Sequence, residues 1–219
     1  MSKLVAVAFF LLLGCPSIHA ADHCKYDQDT LLALDEKAFD QDLAGGGGGW
    51  RAIGNVPGCE FAAADLLAAY RAKHPDSGSI LVWHEGQMRA SAGQYERAIP
   101  LLESARMPAD KDLAGWNYYV DASVAFLRHD KPALLDAQGR LATVAYPQIT
   151  GLPPLKDGFF ELPTQPGQPA MKMRWPPNID VVDGLVACFD KLYSQAYKPS
   201  CQPSSPYDPS ATSPDRTMP

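Results

Sequence analysis

The stretch from Ile80 to Pro108 constrains the fold most, because its small and apolar residues recur at the spacing of two packed helices. Small residues, a turn glycine and an apolar stripe succeed one another there: Gly86, Gly93, Tyr95, Ala98, Leu102 and Ala105. This pattern predicts a helix-turn-helix unit whose two antiparallel helices pack closely. One such unit cannot bury its own apolar face, so we expect neighbouring units to stack on it.

Related residues recur on both sides of this unit at a nearly constant distance. Phe61 precedes Tyr95 by 34 positions, and Trp83 is followed by Trp116 after 33 positions. The segment before Pro75 is therefore interpreted as the second helix of an earlier unit, because proline stops a helix. Residues 113–142 are interpreted as a third, slightly slipped unit.

The central unit resembles the tetratricopeptide repeat, whose 34-residue pattern carries a glycine in its first helix, a glycine-x-tyrosine turn and two alanines. The positions that match are Gly86, Gly93, Tyr95, Ala98 and Ala105, with Pro108 slightly early and Trp83 beside the position of the family's tryptophan. Arg89 departs from the pattern, since it occupies a position where the family often has an aromatic residue. The resemblance implies an all-α fold of stacked antiparallel helical hairpins over residues 21–145.

The resemblance also implies a concave face, lined by the first helices, that binds extended peptides or partner proteins. By position, the candidate binding residues are Trp83 and Gln87 in the central unit and Asn117 and Asp121 in the next. Basic residues that capture a free C-terminus in part of the family are not matched here. Trp83 has a second interpretation as a core residue, because tryptophan at a helical interface is often buried.

The first twenty residues have the pattern of a secretory signal peptide. A basic start at Lys3 precedes an apolar run over residues 4–13, and a small residue follows at Ala20. Cleavage near Ala20 is the preferred prediction. The alternative is a bacterial lipobox, in which Cys15 is lipidated and ties the domain to a membrane.

Four cysteines remain after the signal peptide, which is typical of two disulfides in an exported chain. Three pairings are possible, and we prefer Cys24 with Cys59 and Cys188 with Cys201 because each pair would tie neighbouring segments. The spacings contain no C-x-x-C pair, so the pattern does not favour a metal site.

Glycine and proline mark the boundaries outside the repeats. The run Gly45–Gly49 is interpreted as a flexible connector after an N-terminal helix over residues 26–43. Residues 146–177 are rich in proline and aromatic residues and predict a long loop, over apolar surface or over a binding groove. Residues 178–198 predict a capping helix beginning at Asn178, and residues 199–219 predict a disordered tail.

The sequence contains no recognisable catalytic constellation. His84 is followed by Glu85, but Met88 stands where a zinc peptidase needs its second histidine. His129 lies in a charged turn without a neighbouring nucleophile pattern. We therefore predict no catalytic residue, no metal and no cofactor.

The sequence predicts an exported, non-catalytic module of the cell envelope that binds a protein or peptide, located in the periplasm or secreted. The net charge of −6 argues against a nucleic-acid partner. Contact with a membrane is expected only if Cys15 is lipidated. Two alternatives remain open: a divergent hydrolase with its site under the 146–177 loop, and a structural lipoprotein.

Overall fold

The computed structural model describes residues 22–40, 48–162 and 170–203. The signal peptide, Cys15, most of the glycine run and residues 204–219 of the predicted tail lie outside these ranges. The helices are α1 (Gln28–Leu32), α2 (Glu36–Asp40), α3 (Arg51–Gly54), α4 (Glu60–Lys73), α5 (Ser79–Ser91), α6 (Tyr95–Ser104), α7 (Trp116–Leu127), α8 (Lys131–Ala142), α9 (Ile179–Ala187) and α10 (Tyr193–Ala196). The prediction of a mainly helical chain is confirmed. None of the described helices is both long and apolar enough to span a bilayer.

The N-terminal region is not the single helix predicted over residues 26–43. Asp27 accepts a hydrogen bond from the Thr30 backbone N–H (3.2 Å) at the start of α1, and Asp35 accepts one from Ala38 N–H (2.8 Å) at the start of α2. Each aspartate side chain satisfies a free backbone donor at a helix start. Two such starts within eight residues divide the segment into two short helices.

The described end of the glycine run is ordered rather than a flexible connector. Gly49 is buried and has a φ of +55°, and a Cβ there would collide with the Phe39 carbonyl. Trp50 N–H donates to that carbonyl (3.3 Å). Only glycine fits this conformation and this approach without strain.

Helices α4 to α8 pack consecutively on one another, as the helical hairpin pattern predicts. Gly86 of α5 lies against α6, where a Cβ would come 2.6 Å from Leu102 Cδ2. Gly93 turns the chain between the two helices with a φ of +75°. At the next hairpin, Asp130 caps α8 by accepting a hydrogen bond from Ala133 N–H (3.0 Å).

The 146–177 segment contains an antiparallel pair of strands that a loop prediction misses. Strand β1 (Phe159–Leu162) pairs with β2 (Met171–Arg174), with Phe160 opposite Met173. Asp157 and Gly158, both with positive φ, turn the chain so that Lys156 pairs with Phe159. An Asp-Gly dipeptide favours such a two-residue turn between antiparallel residues.

The predicted capping helix over residues 178–198 is interrupted between Ala187 and Tyr193. Cys188 and Cys201 are disulfide-bonded with their Cα atoms 5.9 Å apart. A helix continued to Lys198 would carry the chain about 15 Å along its axis beyond Cys188, so the interruption brings Cys201 back within reach of Cys188. The interruption also leaves Leu192 60% exposed.

The start of α9 also differs from the prediction that the helix begins at Asn178. Asn178 has a left-handed backbone (φ +65°) and its side chain makes no capping hydrogen bond. Asp180 and Asp183 instead each accept a hydrogen bond from Arg174 of β2 (2.8 Å). These ion pairs attach the strand pair to α9.

Both disulfides of the preferred pairing are present. Cys24 and Cys59 join the N-terminal segment to the start of α4, with Cα atoms 5.4 Å apart. Disulfides form and persist in oxidising compartments outside the cytosol, so the pair indicates an exported location.

Candidate functional site

Trp83 and Gln87 do not line an open groove. Trp83 is 2% exposed, and its ring lies 4.7 Å from the ring of Trp116 and 4.8 Å from that of Tyr119. Gln87 is also buried. The expectation of an exposed groove at these two residues is therefore wrong, and Trp83 belongs to the core between α5 and α7.

Gln87 belongs to a buried cluster of tyrosine hydroxyls. Its amide Nε2 donates to Tyr197 (2.8 Å) and to Tyr119 (3.2 Å), and the two tyrosine hydroxyls lie 3.1 Å apart. Burial raises the pKa of Tyr119 well above 10.0, and the neighbouring Tyr197 adds to the shift. Burial likewise raises the pKa of Tyr193. Both phenols stay protonated at neutral pH, and the Tyr119 hydroxyl joins α7 to Gln87 of α5 and to Tyr197 through neutral hydrogen bonds.

Asn117 and Asp121 lie on α7, where both side chains are occupied within the protein. The Asn117 amide accepts from Met107 N–H and donates to Met107 C=O, both at 2.9 Å. Asp121 accepts from Arg106 Nη2 (2.6 Å). Asn117 thus fixes the connection that follows α6. This structural role accounts for the asparagine at this position without any ligand.

Asp121 also lines a cleft of about 300 Å³ between α6, α7 and α8. Arginines in this cleft are matched by acids, as in the pair of Arg128 with Glu103 (2.9 Å) and that of Arg140 with Asp136 (3.0 Å). Both pairs are largely exposed to solvent, where ion pairs contribute little stability. The balance of charge in the cleft favours neither an anionic nor a cationic ligand.

In the part of the chain that the structure describes, His84 lies against a carboxylate and His129 against an aromatic ring. His84 Nδ1 lies 2.7 Å from Asp40 Oδ1, and the same carboxylate oxygen accepts from the Trp50 indole (2.8 Å). The His129 ring stacks on Phe189 with centroids 4.5 Å apart. Over residues 22–40, 48–162 and 170–203, neither imidazole makes a hydrogen bond to a serine. The alternative of a hydrolase stays a prediction.

A network of ion pairs joins α4 to α5. It is centred on Arg89, which occupies a position where the repeat family often has an aromatic residue. Arg89 is 1% exposed and lies 2.6 Å from Asp65 and 3.5 Å from Glu85. Glu85 also pairs with Arg71. Buried charges need such partners, so Arg89 is a structural residue of this interface. The sequence signal that pointed to it was its failure to match the repeat pattern.

Exposed apolar side chains are concentrated on the segment that carries β1 and β2. We define the hairpin surface by these residues: Ile149, Leu152, Leu155, Leu162 and Met171. Ile149, Leu152 and Leu155 line a cleft of about 530 Å³. A second cleft of about 590 Å³ on the same segment is lined by residues that include Pro153, Pro154, Phe159 and Phe160. Sequence reasoning identified the segment as aromatic and proline-rich but not which of its side chains face solvent.

The hairpin surface rests on a firmly attached base. The rings of Tyr146 and Trp175 pack edge to face with centroids 4.9 Å apart, and Phe160 packs against both. The Trp175 indole donates to the Val144 carbonyl (2.8 Å). Exposed apolar area held in place in this way is typical of an interaction surface.

Among the described residues, His23, Cys24 and Cys59 form the one group of side chains close enough together for a metal site. Both cysteine sulfurs are consumed by the disulfide, so neither provides the thiolate that binds a metal. The group is explained by the covalent bond.

The chain matches no known protein family, and neither curated proteins nor solved structures give a match.

Proposed function

We propose that this protein is an exported, non-catalytic module that binds a protein partner through the hairpin surface. The observation that carries the proposal is the group of apolar side chains held exposed on β1, β2 and the preceding proline-rich segment. Isolated apolar side chains are normal on protein surfaces, but several on one short segment are typical of an interaction site. The partner is expected to present an apolar patch of its own.

We further propose that α4 to α8 are a tetratricopeptide-like stack that serves as the rigid support of this surface. The close approach of α5 and α6 at Gly86 and Leu102 supports it, since the family uses a small residue there. The buried alanines Ala98 and Ala105 support it in the same way. A rigid support lowers the entropy that a binding surface loses on association.

The proposed location is the periplasm or the extracellular space. The two disulfides and the sequence pattern of residues 1–20 support export. Cleavage near Ala20 leaves the protein free, and lipidation at Cys15 would anchor it to a membrane instead.

Site-specific photocrosslinking in intact cells tests the proposal. A photoreactive phenylalanine analogue replaces Leu155 or Leu162 of the hairpin surface, and replaces Leu135 of α8 as the matched control. The control suits the purpose because Leu155 is 39% and Leu135 44% exposed. Crosslinked products are resolved on gels and identified by mass spectrometry.

We expect one discrete protein adduct from both hairpin positions and no such adduct from Leu135. The purified partner should then bind the Leu155→Ser/Leu162→Ser variant about tenfold or more weakly than the native chain, because anchoring side chains dominate interface energies. Equal adducts from all three positions, or none from the hairpin positions, would contradict the proposal.

A further inference from the structure

The signal-peptide pattern indicates which residue begins the exported chain. Cleavage sites of this class resemble Ala-x-Ala, with apolar residues at the last and third-last positions before the cut. A cut after Ala20 places Ile18 at the third-last position, whereas a cut after Ala21 would place the polar His19 there. The cut after Ala20 therefore fits the pattern better, and Ala21 then carries the free α-amino group of the mature protein.

The mature chain then begins with four nitrogen atoms that can bind one metal ion together. Its first three residues are Ala21, Asp22 and His23. Neither Asp22 nor His23 is proline, so each contributes a backbone N–H. The α-amine, these two amides and the imidazole Nδ1 of His23 are linked so that a metal ion closes two five-membered rings along the backbone and one six-membered ring through the side chain. A histidine one position earlier or later would not close this set of rings.

The structure leaves the His23 imidazole accessible for this role. Asp22–Cys24 form a single 3₁₀ turn, and His23 is exposed. Within the described ranges, no hydrogen bond or ion pair engages its ring. Ala21 precedes the described residues, and its part in the site follows from its covalent connection to Asp22 alone.

The adjacent disulfide fixes the end of this segment without contributing to the site. Cys24 is buried and is bonded to Cys59, with the Cα atoms 5.4 Å apart. All four nitrogens lie before Cys24, so metal binding leaves the bond intact. The disulfides also indicate an oxidising compartment, which favours the divalent state of copper.

The other described histidines have different surroundings. His74 and His84 each have one ring nitrogen engaged, at 2.9 Å from a backbone carbonyl oxygen and at 2.7 Å from a carboxylate oxygen, respectively. His129 is exposed but stacks on the ring of Phe189. His129 is therefore a suitable control for copper that binds to a single surface imidazole.

We propose that the exported chain binds one Cu²⁺ ion at its amino terminus through the α-amine of Ala21, the backbone nitrogens of Asp22 and His23, and His23 Nδ1. Four nitrogens in a plane suit Cu²⁺ and Ni²⁺, and Cu²⁺ has the higher affinity for such ligands. Binding releases one proton from the α-ammonium group and one from each amide, and the solvent takes them up. Because two of the ligands are backbone atoms, patterns of metal-binding side chains do not reveal the site. The proposal rests on the proposed export and on cleavage after Ala20, and it is independent of the hairpin surface.

The test uses the mature, oxidised chain isolated after export. Its intact mass identifies the first residue. Cu²⁺ alone is then titrated, with a competing chelator to measure affinity and electron paramagnetic resonance to count the nitrogen ligands. Three variants accompany the native chain: His23→Gln removes the imidazole, Asp22→Pro removes one amide donor but keeps the imidazole, and His129→Gln is the matched control.

We expect a chain beginning at Ala21 that binds one Cu²⁺ through four nitrogens, both in the native protein and in His129→Gln. Loss of an outer partner alone weakens metal binding roughly 10–100-fold, so loss of a ligand in His23→Gln or Asp22→Pro should weaken it at least about 100-fold. Unchanged affinity in His23→Gln or Asp22→Pro would overturn the proposal, as would a native chain that begins at Ala21 and does not bind Cu²⁺.

The mass measurement separates failure of this site from failure of the proposed location. An exported chain that begins at another residue, including a lipidated Cys15, would overturn the copper site and leave export standing. A chain that is not exported and keeps residues 1–20 would overturn both. Neither result changes the crosslinking expected from the hairpin surface.

Discussion

Replacing Gly86 by alanine should destabilise the protein, and replacing Gly139 by alanine should stabilise it. Both glycines lie inside helices, Gly86 in α5 and Gly139 in α8. Alanine gains about 1 kcal/mol over glycine in a helix interior at either position. A comparison of the two variants therefore cancels this gain and leaves the difference in packing.

The packing difference follows from the distances around each glycine. A Cβ at Gly86 would lie 2.6 Å from Leu102 Cδ2 and 3.0 Å from Leu102 Cγ. A Cβ at Gly139 would have no neighbouring atom within 4 Å beyond its chain neighbours and the adjacent backbone of its own helix. Leu102 is fully buried and cannot move without displacing its neighbours. Overpacking of this kind costs about 1–3 kcal/mol, so Gly86→Ala should be less stable than Gly139→Ala by that amount.

The assay is urea unfolding of the mature, oxidised protein, followed by circular dichroism. Urea unfolding gives the free energy of unfolding directly. In a thermal scan of the same variants, a difference of about 1–3 kcal/mol would correspond to roughly 2–12 °C in melting temperature for a chain of this size. In the background Leu102→Ala, which removes both crowding atoms, the cost of Gly86→Ala should largely disappear. Equal or greater stability of Gly86→Ala relative to Gly139→Ala would refute the close approach of α5 and α6.

Three further predictions concern the buried polar groups. Arg89→Met should lower the free energy of unfolding by about 3 kcal/mol, since it removes a partner of the buried Glu85 carboxylate; unchanged stability in urea would contradict the network. Tyr119→Phe should cost about 1 kcal/mol through lost hydrogen bonds, whereas Tyr193→Phe should be neutral or stabilising, because among the described residues the Tyr193 hydroxyl has no hydrogen-bond partner. The free energy of unfolding should fall as pH rises above about 10, because the unfolded chain then releases protons that Tyr119 and Tyr193 retain when folded. Each tyrosine contributes up to about 1.4 kcal/mol per pH unit to this fall. A plot of the free energy of unfolding against pH should therefore be less steep for Tyr119→Phe than for the native chain.

The helical hairpin around Gly86 could be predicted because its signal is local. Spacings of three and four residues decide which side of a helix is apolar, and a glycine before a tyrosine decides where the chain turns. The pairing of Cys188 with Cys201 was also preferred on proximity in sequence. That pairing favours a chain reversal between the two cysteines, because a helix over this segment would carry Cys201 away from Cys188.

The candidate binding residues were harder to predict because exposure is a property of the assembled chain. Gln87 occupies the repeat position expected to face a groove, but Tyr197, 110 positions further along, lies against it. No local pattern specifies that contact. The exposed side chains of the hairpin surface were likewise hidden among prolines, which indicate irregular structure without indicating which side chains face solvent.

The sequence alone determined that the chain is mainly helical, where its central hairpin turns and that its four later cysteines pair, because periodicity, turn chemistry and cysteine parity act over short distances. Tertiary structure decided which apolar groups are covered. It buried Trp83 and Arg89 between helices, placed Tyr197 against Gln87 and left Leu155 and Leu162 in solvent. Burial depends on contacts between distant segments, and their relative placement is fixed only when the whole core packs.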